Sequence, residues 1–85
     1  MKLIFVDESW EDYLYWQKTD RKFLDRINNL VKDISRNLYT GLSKPEPLKY
    51  KYQGYWSRRI TEEHRLIYRV VNDEIHIAKC LFHYD

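Results

Sequence analysis

Hydrophobic and polar positions change period twice along the chain. Residues 2–6 (KLIFV) form a short apolar run and predict a first strand, with Leu3 and Phe5 on one side. The spacing then turns helical. Asp7, Glu8 and Ser9 supply helix-start chemistry, and Glu11 and Asp12 add acid to the first turn. Trp10, Tyr13, Leu14 and Gln17 make one face of a first helix of about three turns. Thr19-Asp20 punctuates and caps the next helix. Its apolar stripe runs Phe23, Ile27, Leu30, Val31, Ile34 and Leu38, offsets that keep to one side of an amphipathic helix. The two helices form an antiparallel hairpin.

Past Leu38 the chain loses helical spacing. Gly41, Pro45 and Pro47 break residues 39–47 (YTGLSKPEP) into a loop. Residues 48–52, 55–61, 65–71 and 75–84 read as strands, separated by Gln53-Gly54, by Glu62-Glu63-His64, and by a hairpin turn around Asn72-Asp73-Glu74. Trp56 and Ile60 share one face of their strand, and Ser57 and Arg59 the other. The fold class is therefore α+β. Two N-terminal helices pack on one face of a small twisted antiparallel sheet, the other face is left free for a ligand, and one domain spans residues 1–85. Two registers are open for the last hairpin. A strict two-residue turn sets Arg65 opposite Cys80. A longer turn or one bulge sets Arg65 opposite Leu81, on the face of His83, and gathers Leu66, Tyr68, Val70, Ala78, Cys80 and Phe82 as a core face. The second register is the one favoured.

Composition narrows the possibilities. The 85 residues are 44% hydrophobic and 16% aromatic, with two glycines and two prolines, which argues against disorder. The longest apolar run, Leu3 to Val6, is too short to span a membrane, and no secretory signal pattern is present. Cys80 is the only cysteine, so no internal disulfide can form, and a reducing cytoplasm is the expected setting. Residues 1–42 balance seven basic against seven acidic side chains. From Lys44 to Arg69 the balance shifts to seven basic against three acidic, with Tyr50, Tyr52, Tyr55, Trp56 and Tyr68 interleaved. Cations for phosphates beside aromatic faces for bases suit a single-stranded nucleic acid. A solvated sheet face with long basic stems has the same composition.

The titratable residues point to metal-free chemistry. His64, His76 and His83 lack ligand spacing, and two isolated glycines cannot build a phosphate loop. The odd spacing of Cys80 and His83 points them apart on a strand. Glu46, Lys49, Arg59, Arg65, His83 and Tyr84 remain. Glu46 lies between two prolines, so its backbone is stiff and extended. Cutting RNA requires a base for the 2′-hydroxyl, positive charge for the phosphorane-like state, and an acid for the departing 5′-oxygen. A carboxylate, guanidiniums and an imidazole meet those needs, with neither metal nor other cofactor. Two other readings use the same residues: a non-catalytic RNA- or ribosome-binding module, and a protein-interaction domain with an exposed sheet edge.

The segments MKLIF, ESWEDYLYWQKTD, KPEPLK, GYWSRRITEEHRLIYRV and the terminal C-x-x-HY resemble the YoeB toxins (the Txe branch of the same group), within the RelE-like superfamily. The resemblance runs from Met1 to Tyr84. It implies the RelE-like fold and a ribosome-dependent endoribonuclease, the toxin of a type II toxin–antitoxin pair, which cuts mRNA in the ribosomal A site. It also implies a homodimer, a YefM-like antitoxin, and an operator bound only by the toxin–antitoxin complex. By resemblance Glu46 is the general base, His83 the general acid and Arg65 the transition-state arginine. Lys49 and Arg59 contact phosphate, and Tyr84 helps place substrate and His83. Asp85 extends past the family's terminal HY. His64 is expected at the surface or facing RNA.

Overall fold

Asp20 separates the two helices. In the computed structural model, which describes residues 1–81, its carboxylate accepts from the amides of Lys22 (3.0 Å) and Phe23 (3.4 Å) and starts α2 (Arg21–Arg36). Its own amide donates to the Trp16 carbonyl and closes α1 (Asp7–Thr19). The apolar stripe of α2 buries Ile27, Leu30 and Ile34 as expected and adds Leu24, with Phe23 and Val31 half-buried at its flanks. The helix stops at Arg36, so Leu38 packs on the core from the following loop.

The buried face of α1 differs from expectation. Trp10 is 46% exposed, while Ser9, Asp12 and Trp16 are buried. The reason is polar rather than apolar. Ser9 Oγ donates to the Ile77 carbonyl (2.6 Å), Asp12 accepts from the Cys80 amide (3.0 Å), and Trp16 Nε1 donates to the Cys80 carbonyl (2.7 Å). Such bonds satisfy backbone groups that burial would otherwise strand. The helix begins at Asp7, so its first-turn acids are Asp7 and Glu8, not Glu11 and Asp12.

Five strands form the sheet: β1 (Lys2–Phe5), β2 (Glu46–Pro47), β3 (Trp56–Arg59), β4 (Arg65–Val71) and β5 (Glu74–Lys79), in the order β1-β5-β4-β3-β2. The α+β class with helices against a sheet is as expected. The sheet is mixed rather than purely antiparallel, because β1 runs parallel to β5 with Leu3 opposite Ile75 and Phe5 opposite Ile77. Parallel pairing needs a long crossover, and the two helices lie within it. Residues 48–52 are not a strand. Tyr50–Tyr52 make one 3₁₀ turn entered through a left-handed Tyr50 (φ 58°), and Glu46–Pro47 pair with β3 instead. β3 is also shorter than the expected 55–61.

The β4–β5 hairpin combines features of both expected registers. Its turn is the two-residue Asn72-Asp73, with Asn72 left-handed at φ 55°, and a register shift falls between Ile67 and Tyr68. Tyr68 pairs with Ile77, and Ile67 pairs with Lys79. Carried two residues further, that register sets Arg65 level with Leu81. The shift also changes the phase of the core on β5. Ile75 and Ile77 face the helices before it and Cys80 after it, while Ala78 is only half-buried. Leu66 and Tyr68 are in the core as expected; Phe82 lies outside the described residues. The opposite face is not fully open. Ser57 and Ile67 alternate with core-facing neighbours, so they point away from the helices, yet both are buried.

Candidate active site

Alternation along β3 sends Trp56 and Arg58 toward the helices and Ser57 and Arg59 to the other face. Ser57 stands between Glu46 on β2 and Ile67 on β4, and Arg59 stands opposite Arg65. Glu46 with Ser57, and Arg59 with Arg65, therefore form two adjacent rows on one face. Facing side chains in a row lie about 5 Å apart at Cβ, and diagonal neighbours about 7–8 Å. A carboxylate and two guanidiniums thus share one face of the sheet, with Arg59 diagonal to Glu46 and Arg65 one strand further on. Glu46 is exposed, and both arginines are half-buried.

Two guanidiniums side by side repel unless acceptors hold them. The turn between β3 and β4 supplies those acceptors. Arg65 Nη1 donates to the carbonyls of Thr61 (2.6 Å), Glu62 (3.1 Å) and His64 (3.1 Å). Thr61 Oγ1 organises the turn by accepting from the amides of Glu63 (3.2 Å) and His64 (3.1 Å). Arg59 Nη1 pairs with Glu62 Oε1 at 2.8 Å, and that carboxylate is 91% exposed. An exposed pair of this kind is worth about 0–1 kcal/mol, so a phosphate can replace Glu62 at little cost. Lys49 is exposed in the connection after β2, three residues beyond Glu46 and outside the paired rows. His83 and Tyr84 lie outside the described residues.

A family model for the YoeB-like toxin of bacterial type II toxin–antitoxin systems matches residues 5–84. The chain belongs to that family. The YoeB toxin of Escherichia coli (strain K12) is 57% identical over 84 residues, covering 99% of this chain and 100% of that protein. The YoeB dimer from Staphylococcus aureus superposes with a TM-score of 0.92 at 46% identity, covering 99% of this chain and 98% of that one. The heterotetrameric YoeB–YefM toxin–antitoxin complex from Staphylococcus aureus gives 0.91 at 46% identity, with the same coverage of both chains. The chain is thus a type II toxin of the RNase-toxin group, with the RelE-like arrangement of two helices against a five-stranded sheet.

Several residues of this YoeB-like chain stand elsewhere than expected. Arg58 is fully buried against Asp33 (2.6 Å), so the basic stretch offers one cation fewer to a nucleic acid. His64 is buried, its ring 4.8 Å from Trp16 and 6.0 Å from Phe23 at the helix–sheet junction, and it is not an RNA-facing group. Of the aromatics interleaved with the cations, Tyr68 is buried, as the favoured register has it, and Trp56 packs on the core against Tyr39. Tyr55 stacks under the Arg69 guanidinium (5.1 Å), while Tyr50 is 90% exposed. Burial pushes the Cys80 thiol well above its ordinary value, with the Asp12 charge adding to the shift, so it is no nucleophile near neutral pH. The role of Arg58 was readable in principle: strict alternation between Trp56 and Ile60 leaves it no other face.

Proposed function

We propose that the chain is a ribosome-dependent endoribonuclease that cuts mRNA in the ribosomal A site by metal-free general acid–base chemistry. Glu46 takes the proton of the 2′-hydroxyl as that oxygen attacks the adjacent phosphorus. Arg65 neutralises the charge gathered on the phosphorane-like state, and Arg59 and Lys49 hold phosphate. His83, as imidazolium, gives its proton to the 5′-oxygen as the P–O5′ bond breaks, and Tyr84 positions His83 and substrate. The products are a 2′,3′-cyclic phosphate or 3′-phosphate end and a 5′-hydroxyl. The observation that carries this reading is the cross-strand Arg59–Arg65 pair diagonal to Glu46 on one sheet face. No cofactor enters the chemistry.

A net charge of +2 is small for a protein that binds RNA unaided. The ribosome resolves this by presenting the mRNA in register, and the toxin supplies reacting groups rather than grip. Cutting is therefore fast on translating ribosomes and slow on free RNA. One domain spans residues 1–85 and acts in the cytoplasm, as a homodimer and under a YefM-like antitoxin. The dimeric and YefM-bound Staphylococcus aureus relatives support those partners. The toxin–antitoxin complex represses its own operator.

Primer extension on arrested ribosomes tests the reading. Wild type yields a strong band at the A-site codon, and Glu46→Gln and His83→Gln reduce it to a slow residual cut. If wild type stops translation without any cut, and both variants stop it equally well, the chain is instead a non-catalytic ribosome-binding module.

A further inference from the structure

The buried guanidinium of Arg58 has no place in the acid–base scheme, yet it is among the most heavily bonded side chains of the molecule. Its Nη1 donates to Asp33 Oδ2 (2.6 Å) and the Leu42 carbonyl (3.0 Å), its Nη2 to the carbonyls of Thr40 (2.7 Å) and Asn37, and its Nε to Tyr68 Oη (3.2 Å). Tyr68 Oη in turn donates to the Leu38 carbonyl (2.6 Å). Asp33 Oδ2 also accepts the Leu42 amide (3.0 Å). Four carbonyls of a six-residue stretch between α2 and β2 thus point at one cation or its hydroxyl partner.

This stretch has no regular structure of its own, and it leads directly into Glu46. Ser43 and Lys44 both sit in the left-handed region, at φ 62° and 52°, which non-glycine residues adopt only when surroundings hold them there. Three consecutive residues of β3 provide the hold. Ser57 pairs with Glu46, the Arg59 amide donates to the Ser43 carbonyl (2.8 Å), and the Arg58 side chain grips residues 37–42 from the other face. Gly41 is shaped to the same device. At φ 101° it is left-handed, and a Cβ there would run into Asp33 Oδ2. Replacing a buried ion pair by apolar residues is often neutral or stabilising, so stability alone does not account for a charge kept in this place.

We infer that Arg58, braced by Asp33, is a positioning residue: its guanidinium fixes residues 37–44 so that Glu46 is presented beside Arg59 and Arg65. The inference rests on the catalytic reading given above. Lysine keeps the charge and the stem but loses the planar fork that reaches several carbonyls at once. Arg58→Lys therefore binds ribosomes and leaves Glu46 loosely placed.

Single-turnover cleavage on programmed ribosomes, with toxin in saturating excess, tests this for Arg58→Lys, Glu46→Gln and the double variant. Arg58→Lys is expected to cut at least tenfold more slowly at saturation, with an unchanged half-saturating toxin concentration. The double variant is expected to cut no more slowly than Glu46→Gln alone, because a lost carboxylate has nothing left to position. Gly41→Ala, which disturbs the clamp while keeping Arg58, is expected to slow the saturated rate in the same way. It covers the case in which Arg58→Lys fails to fold. Full-rate Arg58→Lys beside a strongly slowed Glu46→Gln overturns the inference alone, as does a multiplied loss in the double variant. Glu46→Gln cutting like wild type removes the catalytic reading and this inference together.

Discussion

Asp12 offers a quantitative test of how α1 is attached to the sheet. Its carboxylate accepts the buried Cys80 amide at 3.0 Å, one helical turn before Trp16 takes the Cys80 carbonyl at 2.7 Å. Asp12→Ala leaves that amide without its acceptor. A buried unsatisfied donor costs about 1–3 kcal/mol, and a bond to a charged acceptor sits in the upper part of that range. Against this stands relief of burial, which raises the Asp12 pKa above its ordinary 3.8 despite the opposing Cys80 bond. The net expectation is a loss of about 2 kcal/mol. For a domain of this size that lowers Tm by roughly 8–16 °C. Asp12→Asn keeps an acceptor oxygen and is expected to lose less than half as much near neutral pH. Because the native carboxyl binds its proton at higher pH than the unfolded one, wild type gains stability as pH falls through the raised pKa toward 3.8, and Asp12→Asn lacks that gain. Urea unfolding of the three proteins between pH 4 and neutrality measures both effects. Equal midpoints for Asp12→Ala and wild type would refute the reasoning, since the bond would then contribute nothing.

Other expectations concern separate parts of the molecule. Asp33 behaves oppositely to Asp12: the Arg58 hydrogen bond, then the Leu42 amide, lowers its pKa below 3.8. Its contribution is full above 3.8 and fades as pH falls through the lowered value, so Asp33→Asn flattens the acid limb of the stability curve. Ile27 is fully buried at the centre of the α2 stripe, and Ile27→Ala is expected to cost about 2–5 kcal/mol in urea unfolding. Cys80 is expected to resist thiol reagents in the native state near neutral pH and to react fully once urea unfolds the chain, since burial raises its pKa.

The parts of the fold that were legible in the sequence are those set by near neighbours along the chain. The α2 stripe and the Asp20 cap were readable because each follows a local rule. The α1 face was not, because Ser9 and Asp12 are buried for the sake of backbone groups nearly seventy residues away, at Ile77 in β5 and at Cys80 just past it. The parallel partner of β1 was hidden for the same reason, as no local pattern names a distant strand. At the site, alternation already placed Ser57 and Arg59 together, and one bulge was enough to set the level of Arg65. Residues 48–52 misled because Tyr50 and Tyr52 have strand propensity, whereas the backbone at Tyr50 is left-handed. Arg58 misled because a charged residue inside a basic run looks like surface until its single face is counted.

Attack by a 2′-oxygen beside Glu46 is the decisive step, and an mRNA with one 2′-deoxy nucleotide at the A-site cut position interrogates that oxygen alone. On translating ribosomes the unmodified message is expected to end in a 2′,3′-cyclic phosphate or a 3′-phosphate, with a 5′-hydroxyl on the downstream fragment. The deoxy message is expected to stay intact while still binding the toxin-loaded ribosome. Cleavage of the deoxy message at the unmodified rate, or a 5′-phosphate on the product, would contradict the mechanism.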